Sequence, residues 1–312
     1  MTLPRLAVTL GDPRGIGPEI VGKMLRDGRA GRAAELLVVG PTGAGAQVDE
    51  PIGSWEESGD DARAGQLAGA AVERAVSLAR AGKVDGIVTA PLEKSALYRG
   101  GYDFPGHTEM LASLASSRVA MMLTSADGAG GNDVPRLRVV LATTHMPLRD
   151  VASALTRERI VDIAAITRAG LRDWFGVAEP RIALCAFNPH AGDSGRFGSE
   201  DDDVLRPAAQ EAELSGPWPA DTVFVRAIRG EFDAVIAPYH DVGMAAIKVA
   251  AFGHAVNVTL GLPFPRCSPD HGTALDIARK GVADASSMID ATLLCAALAA
   301  SPSRRAGQAS RR

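Results

Sequence analysis

Several things are scarce in this chain, and each scarcity removes a class of explanation. Its 312 residues hold only three cysteines, Cys185, Cys267 and Cys295, widely scattered and with no CxxC pair. Neither a disulfide framework nor a thiolate zinc site is expected from that pattern. Cys185 lies within the apolar run RIALCAF and reads as a small core residue, whereas Cys267, next to Arg266, is the candidate for a reactive thiol. No charged segment followed by an apolar stretch opens the sequence at Met1, and the longest apolar run, 291–300, is too short to span a bilayer. A cytoplasmic protein with no membrane partner is the expectation. There is no internal repeat. The glycine spacing in GDPRGIGPEI, with Gly11, Gly15 and Gly17, matches neither the dinucleotide fingerprint nor the Walker loop. Basic residues are outnumbered as well, 33 against 37 acidic, and four of the arginines fall in the tail SPSRRAGQASRR. An acidic body argues against nucleic acid as partner and leaves an anionic substrate dependent on locally placed positive charge. The tail itself, 301–312, reads as a disordered basic end.

What is present is an enzyme-sized globular composition, 46% hydrophobic and 22% charged. The length suggests two lobes, although no lobe boundary can be read from the sequence. RLAVTL is a strand that breaks at the glycine loop and resumes as the helix EIVGKML, with Pro18 suited to its first position. That loop fits equally a tight strand-to-helix turn and an anion-binding one. Residues 41–60 read as irregular connection, ARAGQLAGAAVERAVSLARAGK as a helix, and VDGIVTAP as a strand. GYDFPGHTEML places His107 and Thr108 in a turn ahead of a short helical run. SADGAGGNDVP is a surface loop by composition. TRERIVDIAAITRAGLRDWFG puts Ile160, Ile163, Ala164, Leu171, Trp174 and Phe175 on one helical face. Ser199 with Asp202 resembles a capping box, a helix is expected from about Ala274, and the closing segment MIDATLLCAALAA is apolar on most sides, so buried or in a subunit contact.

The chemically able side chains concentrate between Ala234 and Ala278. There the apolar run AVIA stops at Pro238, Tyr239, His240 and Asp241. LRVVLATTH likewise ends on His145 and RIALCAFNPH on His190, so three short apolar runs each deliver a histidine just past their last residue. In a parallel α/β sheet the carboxyl ends of the strands share one edge, where ligands bind. Three neutral imidazoles there match a catalytic metal site with a position left for water or substrate, and zinc or another divalent first-row ion is the natural occupant. Each histidine alone reads as readily as a loop-end residue bonded to backbone; the recurrence at three strand ends carries the metal reading.

GDPRGIGPEI, GHTEML, THMPLRDV, NPHAGDSGRFGSE, PADTVF, YHDVGMAAIK, VNVTLGLPFPR and DHGTALDIA, in that order, resemble the 4-hydroxythreonine-4-phosphate dehydrogenase family of vitamin B6 biosynthesis. The resemblance runs from about Leu6 to Ala285. It implies a two-lobed α/β/α subunit of the isocitrate and isopropylmalate dehydrogenase type, a single catalytic unit over 1–300 with its active site in the cleft between lobes. It implies a homodimer with the active site at the subunit interface. The reaction is oxidation of the C3 hydroxyl of a phosphorylated substrate by NAD, or NADP, followed by decarboxylation to 3-amino-2-oxopropyl phosphate. By this resemblance His145, His190 and His240 are ligands of one divalent ion, zinc, magnesium or cobalt. His107, Thr108, Lys248, Asn257 and Arg266 fall at substrate-contacting positions. His271, Gly272, Thr273 and Asp276 are candidate cofactor contacts, and Asp241 and Lys248, flanking the metal motif, are candidates for proton transfer.

Two residues depart from the family pattern: Val242 stands where YHDQG has glutamine, and Arg279 stands where related dehydrogenases often have glycine. The first bears on substrate contacts and the second on the cofactor loop. The same chemistry on a four-carbon sugar acid, threonate or erythronate 4-phosphate, is the near alternative. Metal-dependent phosphate-ester hydrolysis without a nucleotide and a non-catalytic metal-binding role are the alternatives of other classes.

Overall fold

The computed structural model describes residues 2–125, 136–251 and 253–301, and divides them into two compact units. The first unit joins Met1–Arg118 to Val256–Arg312, and the second is Val119–Ala255. In chain order the first holds β1 (Arg5–Thr9), α1 (Gly17–Asp27), α2 (Arg29–Ala33), β2 (Glu35–Thr42), β3 (Glu50–Ser54), α3 (Asp61–Arg80), β4 (Gly86–Thr89), α4 (Lys94–Arg99) and α5 (His107–Ala115). The second follows with β5 (Ala120–Ser125), β6 (Arg138–Leu141), α6 (Leu148–Ala154), α7 (Arg157–Asp173) and β7 (Ile182–Cys185). A tight turn (Pro189–Gly192), a π-helical turn (Asp201–Leu205), α8 (Arg206–Glu211), β8 (Ser215–Trp218), α9 (Ala220–Ile228), β9 (Ala234–Ala237) and α10 (His240–Ala251) complete it. The chain then returns to the first unit with β10 (Ala255–Leu260), β11 (Arg266–Pro269) and α11 (Ser286–Ala300).

The strands of the first unit lie in the order β3-β2-β1-β4-β11-β10, all parallel except the β10–β11 pair. Those of the second run β5-β6-β9-β7-β8, parallel except β5 against β6. Strands β6, β7 and β9 are buried along their whole length, as apolar strands covered on both faces must be. Val139, Leu141, Ala183, Cys185, Val235 and Ala237 form one side of that core. Helix starts follow their sequence signals. Asp60 caps α3 by accepting from the Arg63 amide, Thr156 caps α7 from the Arg159 amide, and Pro18 sits in the first turn of α1.

Four expectations change. Residues 41–60 are not all irregular: Glu50–Ser54 pairs with β2 as the outermost strand, where Pro51 costs no ladder bond because an edge position has a free side. No helix starts near Ala274; residues 275–279 only turn, because Ala274 (φ 43°) and Arg279 (φ 63°) are left-handed. The helix after Ser199 has Glu200 at its cap with no side-chain bond, and Asp202 pairs instead with Arg206 at 2.8 Å. Cys267 is buried within β11, and burial raises its thiol pKa well above the usual range despite the neighbouring Arg266, so it is no reactive thiol. Burial likewise pushes the Cys185 thiol up to about 12, as a core residue requires. The apolar α11 is buried within its own unit. SADGAGGNDVP beyond Ser125 and the tail beyond Ser301 lie outside the described residues. Among the described residues no helix is long and apolar enough to cross a membrane.

Candidate active site

The second unit sets its three histidines on neighbouring strands. β9 lies between β6 and β7 and is parallel to both, with Leu141 beside Ala237 and Leu184 beside Ile236. Their carboxyl ends therefore reach one edge together, and His145, His190 and His240 follow directly. The Ala142 amide donates to the Ala237 carbonyl at 2.8 Å and the Thr143 hydroxyl to the Pro238 carbonyl at 2.8 Å, tying the first loop to the third. The His145 and His240 rings consequently stand with centroids 5.4 Å apart, tilted by 46°. His240 opens α10, and its Nδ1 shares a 2.7 Å hydrogen bond with Asp241 Oδ1. That contact leaves Nε2 as the ring atom able to ligate.

His190 is presented differently. Every residue from His190 to Gly195 has positive φ, including the non-glycines His190, Ala191, Asp193 and Ser194. So long a left-handed run is costly and must be held from outside. Asp201 anchors the segment that leads into it: fully buried, its carboxylate accepts from the Phe187 and Asn188 amides at 2.8 and 2.9 Å. Asn188 in turn donates to Glu200 at 2.8 Å. His190 lines a cavity of about 280 Å³ with Phe187, Asn188, Asp221, Tyr239 and Val242. Among the described residues, no three His, Cys, Asp or Glu side chains are gathered closely enough to hold an ion as they stand. Two of the expected imidazoles are together; the third arrives at the same edge on the adjoining strand. The donor set, neutral imidazoles at one strand edge with a carboxylate behind one of them, fits a divalent ion.

Asp201 and Asp221 were not singled out from the sequence. Asp221 was visible in PADTVF as the acid at the start of α9, and Asp201 stands in the acidic run EDDD, where nothing in the sequence marks it off from its neighbours. Lys248 lies two turns along α10 from His240, roughly 12 Å up the helix axis.

The first unit holds a second polar group, built into a sheet face. Arg266 is 2% exposed, yet its guanidinium meets no carboxylate at hydrogen-bond distance among the described residues. Its Nη1 donates to Thr259 Oγ1 at 3.0 Å and its Nη2 to Thr89 Oγ1 at 2.5 Å, while Nε finds no partner. Burial lowers its pKa to about 10, which still leaves it charged. His107, at the start of α5, is half-buried as a residue, but its Nε2 atom has no exposed surface and no partner. Burial first, and then the nearby Arg266 charge, hold its pKa well below the ordinary histidine value, so the ring is neutral. Asn257 Oδ1 is buried and unpartnered in the same way. Buried polar atoms are nearly always satisfied, so a buried cation with an unpartnered Nε, beside an unpartnered His107 Nε2 and an unpartnered acceptor on Asn257, describes a place for a polar ligand with an anionic group. Thr108 is half-buried beside His107.

The candidate cofactor loop packs on the glycine loop. The Ile16 amide donates to the Thr273 carbonyl at 2.9 Å, and a side chain at Gly15 would come within 2.8 Å of that oxygen. Thr273 is buried and donates to Glu93 at 3.2 Å. The His271 Nδ1 bonds the Gly272 carbonyl at 3.1 Å and its Nε2 is buried without a partner, while Gly272 and Asp276 are exposed. The glycine loop itself is a tight turn: a side chain at Gly11 would lie 2.1 Å from the Pro91 carbonyl, and one at Gly17 2.2 Å from that of Leu10. Asp12, 1% exposed, fills the turn by accepting from Arg14.

A parallel α/β protein of this layout is shared with a β-decarboxylating dehydrogenase from Thermococcus kodakarensis, at TM-score 0.52 and 16% identity over 94% of this chain and 82% of that one, a likeness of fold alone. The model of the PdxA family, "pyridoxal phosphate biosynthetic protein PdxA", matches residues 39–295, and the chain belongs to that family. A 4-hydroxythreonine-4-phosphate dehydrogenase from Burkholderia vietnamiensis is 42% identical, covering 92% of this chain and 94% of its own length. A Bradyrhizobium diazoefficiens protein, provisionally named a D-threonate 4-phosphate dehydrogenase, is 40% identical over 97% and 99%. The crystal structure of 4-hydroxythreonine-4-phosphate dehydrogenase from Klebsiella pneumoniae superposes with TM-score 0.80 at 37% identity, covering 95% of this chain and 99% of that one. The chain is an oxidoreductase of a dehydrogenase family, and the hydrolase and non-catalytic metal-binding alternatives fall away.

Proposed function

We propose that this enzyme oxidises the C3 hydroxyl of 4-hydroxythreonine 4-phosphate and releases the carboxylate as carbon dioxide, as a cytoplasmic homodimer. The observation that supports it most is the buried Arg266 group: its unpartnered Nε calls for an anionic oxygen, and the unpartnered Asn257 Oδ1, which only accepts, calls for a donor on the ligand. Arg266 binds one anionic end of the substrate, and neutral His107 adds a hydrogen bond without adding charge. His145, His190 and His240 would hold a divalent ion, zinc, magnesium or cobalt, which when bound stabilises negative charge on the substrate oxygen. His271, Gly272, Thr273 and Asp276 would hold NAD, or NADP, which would supply the hydride acceptor.

Asp241 is engaged with the His240 ring, which makes it a poor proton carrier and a good holder of that ring. Lys248 is therefore the better candidate for moving a proton, donating from its ammonium to the carbon that loses the carboxylate. The C2 ammonium of the substrate needs an acceptor, and Asp221, which shares a cavity lining with His190, supplies one.

A second reading keeps the reaction and exchanges the substrate for D-threonate or erythronate 4-phosphate. It is favoured by the Bradyrhizobium relative and by Val242, an apolar wall of that same cavity. The deciding experiment offers the amino and the hydroxy substrates separately, with NAD and a divalent ion, and compares initial NADH formation at low concentration. A higher kcat/KM for the amino compound is expected; the reverse order would reassign the substrate and leave the reaction type standing. For the homodimer, inactive His145→Ala and Arg266→Met chains are mixed and refolded together. Partial recovery of activity in verified mixed dimers supports a shared site, and none would count against it.

A further inference from the structure

Arg266 is the first residue of β11, a strand flanked on one side by β4 and on the other by β10, and strand register shows what surrounds it. Arg266 is level with Ile87 on β4, so Thr89, one side-chain repeat further along, points to the same face. On the other flank Cys267 pairs with Val258, which sets Thr259 of β10 beside Arg266. Thr89 and Thr259 are each fully buried, at positions where strands covered on both faces ordinarily carry apolar side chains. Each hydroxyl accepts from one terminal nitrogen of the guanidinium, at 2.5 and 3.0 Å.

We propose that Thr89 and Thr259 are positioning residues for Arg266: gripping one terminal nitrogen each, they fix the plane of the guanidinium so that its Nε side is presented to the anionic group of the substrate. The inference rests on the reading of Arg266 as the anion-binding residue. Three features of the site carry it. A guanidinium has five N–H donors in one rigid fork, so two anchored nitrogens determine where the others point. The anchors are neutral hydroxyls, so they orient the cation without neutralising it, whereas a carboxylate in their place would compete with the ligand. Finally, of the three N–H donors left, the one on Nε belongs to a nitrogen with no partner among the described residues.

The test uses isosteric changes. Thr89→Val and Thr259→Val remove a hydroxyl and keep the shape; Thr89→Ser and Thr259→Ser keep the hydroxyl. Each is measured by calorimetric titration with inorganic phosphate and by steady-state kinetics with 4-hydroxythreonine 4-phosphate, NAD and a divalent ion. Loss of one bond to a charged group predicts that either valine variant raises KM and the phosphate Kd by roughly tenfold or more, with kcat much less affected. The serine variants should stay near wild type. In an Arg266→Met background, Thr89→Val should add no further loss, since the threonine acts only through the arginine. A folded valine variant with wild-type KM and Kd would overturn the proposal, and so would a serine variant as impaired as the valine one. A valine chain that failed to fold would leave serine retention and the Arg266→Met pairing to decide. Wild-type enzyme that bound neither phosphate nor the ester would remove the reading of Arg266, and the proposal with it.

Discussion

In the second unit the three histidines stand past the ends of β6, β7 and β9, at a sheet edge, with His190 on left-handed backbone and His240 at the start of α10, leaning on an exposed carboxylate. In the first unit Arg266, His107 and Asn257 are sunk against a sheet face, with polar atoms that nothing among the described residues satisfies. The histidine edge needs little from the protein until a ligand arrives, because neutral imidazoles tolerate water. The arginine niche holds a cation at 2% exposure and is costly to keep empty. One site is prepared by geometry at modest electrostatic cost, and the other by electrostatics at the expense of stability.

The largest expected effect tests the histidine edge. Replacing His145, His190 or His240 singly by Ala should lower divalent-metal affinity and turnover by more than roughly a hundredfold, since even residues behind a ligand contribute up to that. Bound metal after equilibrium dialysis and NADH formation measure it. One variant that kept stoichiometric metal and a near-normal rate would separate that histidine from the other two.

The scaffold of the same edge gives the next effect, in stability. Asp201→Ala removes two hydrogen bonds to a buried carboxylate and strands the Phe187 and Asn188 amides. Thermal and urea unfolding should show a loss of about 3 kcal/mol. An unchanged midpoint would mean that the left-handed run holds itself.

The arginine niche is probed by pH. His107 is neutral in the folded chain because burial and Arg266 depress its pKa well below the ordinary histidine value of 6.5, while the unfolded chain takes up a proton near that value. A depressed histidine therefore contributes stability in full above pH 6.5, and that contribution is lost progressively as pH falls below it, by at most about 1.4 kcal/mol per pH unit. His107→Gln should flatten this part of the profile in urea melts of the metal-free protein. A slope that persists would assign it to another group.

The contrast also decides what the sequence could disclose. Strand ends are legible, because an apolar run that stops and is followed by His145, His190 or His240 carries its own signal, and parallel topology puts the ends together. Facing across a sheet is not legible. Nothing in the spacing of Thr89, Thr259 and Arg266 says that three separate strands bring them into one niche; register does that, and register follows from pairing partners far apart in the chain. Arg266 came forward only through the resemblance of LPFPR. Asp201 was hidden for a related reason: an acid in DDDVL reads as solvated until the π turn rotates it inward. The edge strand Glu50–Ser54 was hidden by Pro51 and Gly53, residues that an outermost strand tolerates.

The smallest effect concerns the departure at Arg279, near the candidate cofactor loop of the arginine-bearing unit. Its φ of 63° is a left-handed conformation that glycine adopts freely and that costs a side-chain-bearing residue about 1–2 kcal/mol. Opposing that relief, Arg279→Gly would lose the 2.6 Å pair with Glu57, whose side chains are 46% and 83% exposed, a pair worth about 0–1 kcal/mol. Glycine would also loosen the unfolded chain by about 0.4–1 kcal/mol. The terms nearly cancel, so Arg279→Gly should shift stability by less than about 1 kcal/mol, whereas Arg279→Val, which keeps the strain and loses the pair, should be clearly destabilising. Glu57→Gln isolates the ion pair, and chemical denaturation of the three variants completes the comparison. Should Arg279→Gly and Arg279→Val prove equally unstable, the left-handed backbone would not be what the glycine of related dehydrogenases serves, and the Glu57 contact would carry the position instead.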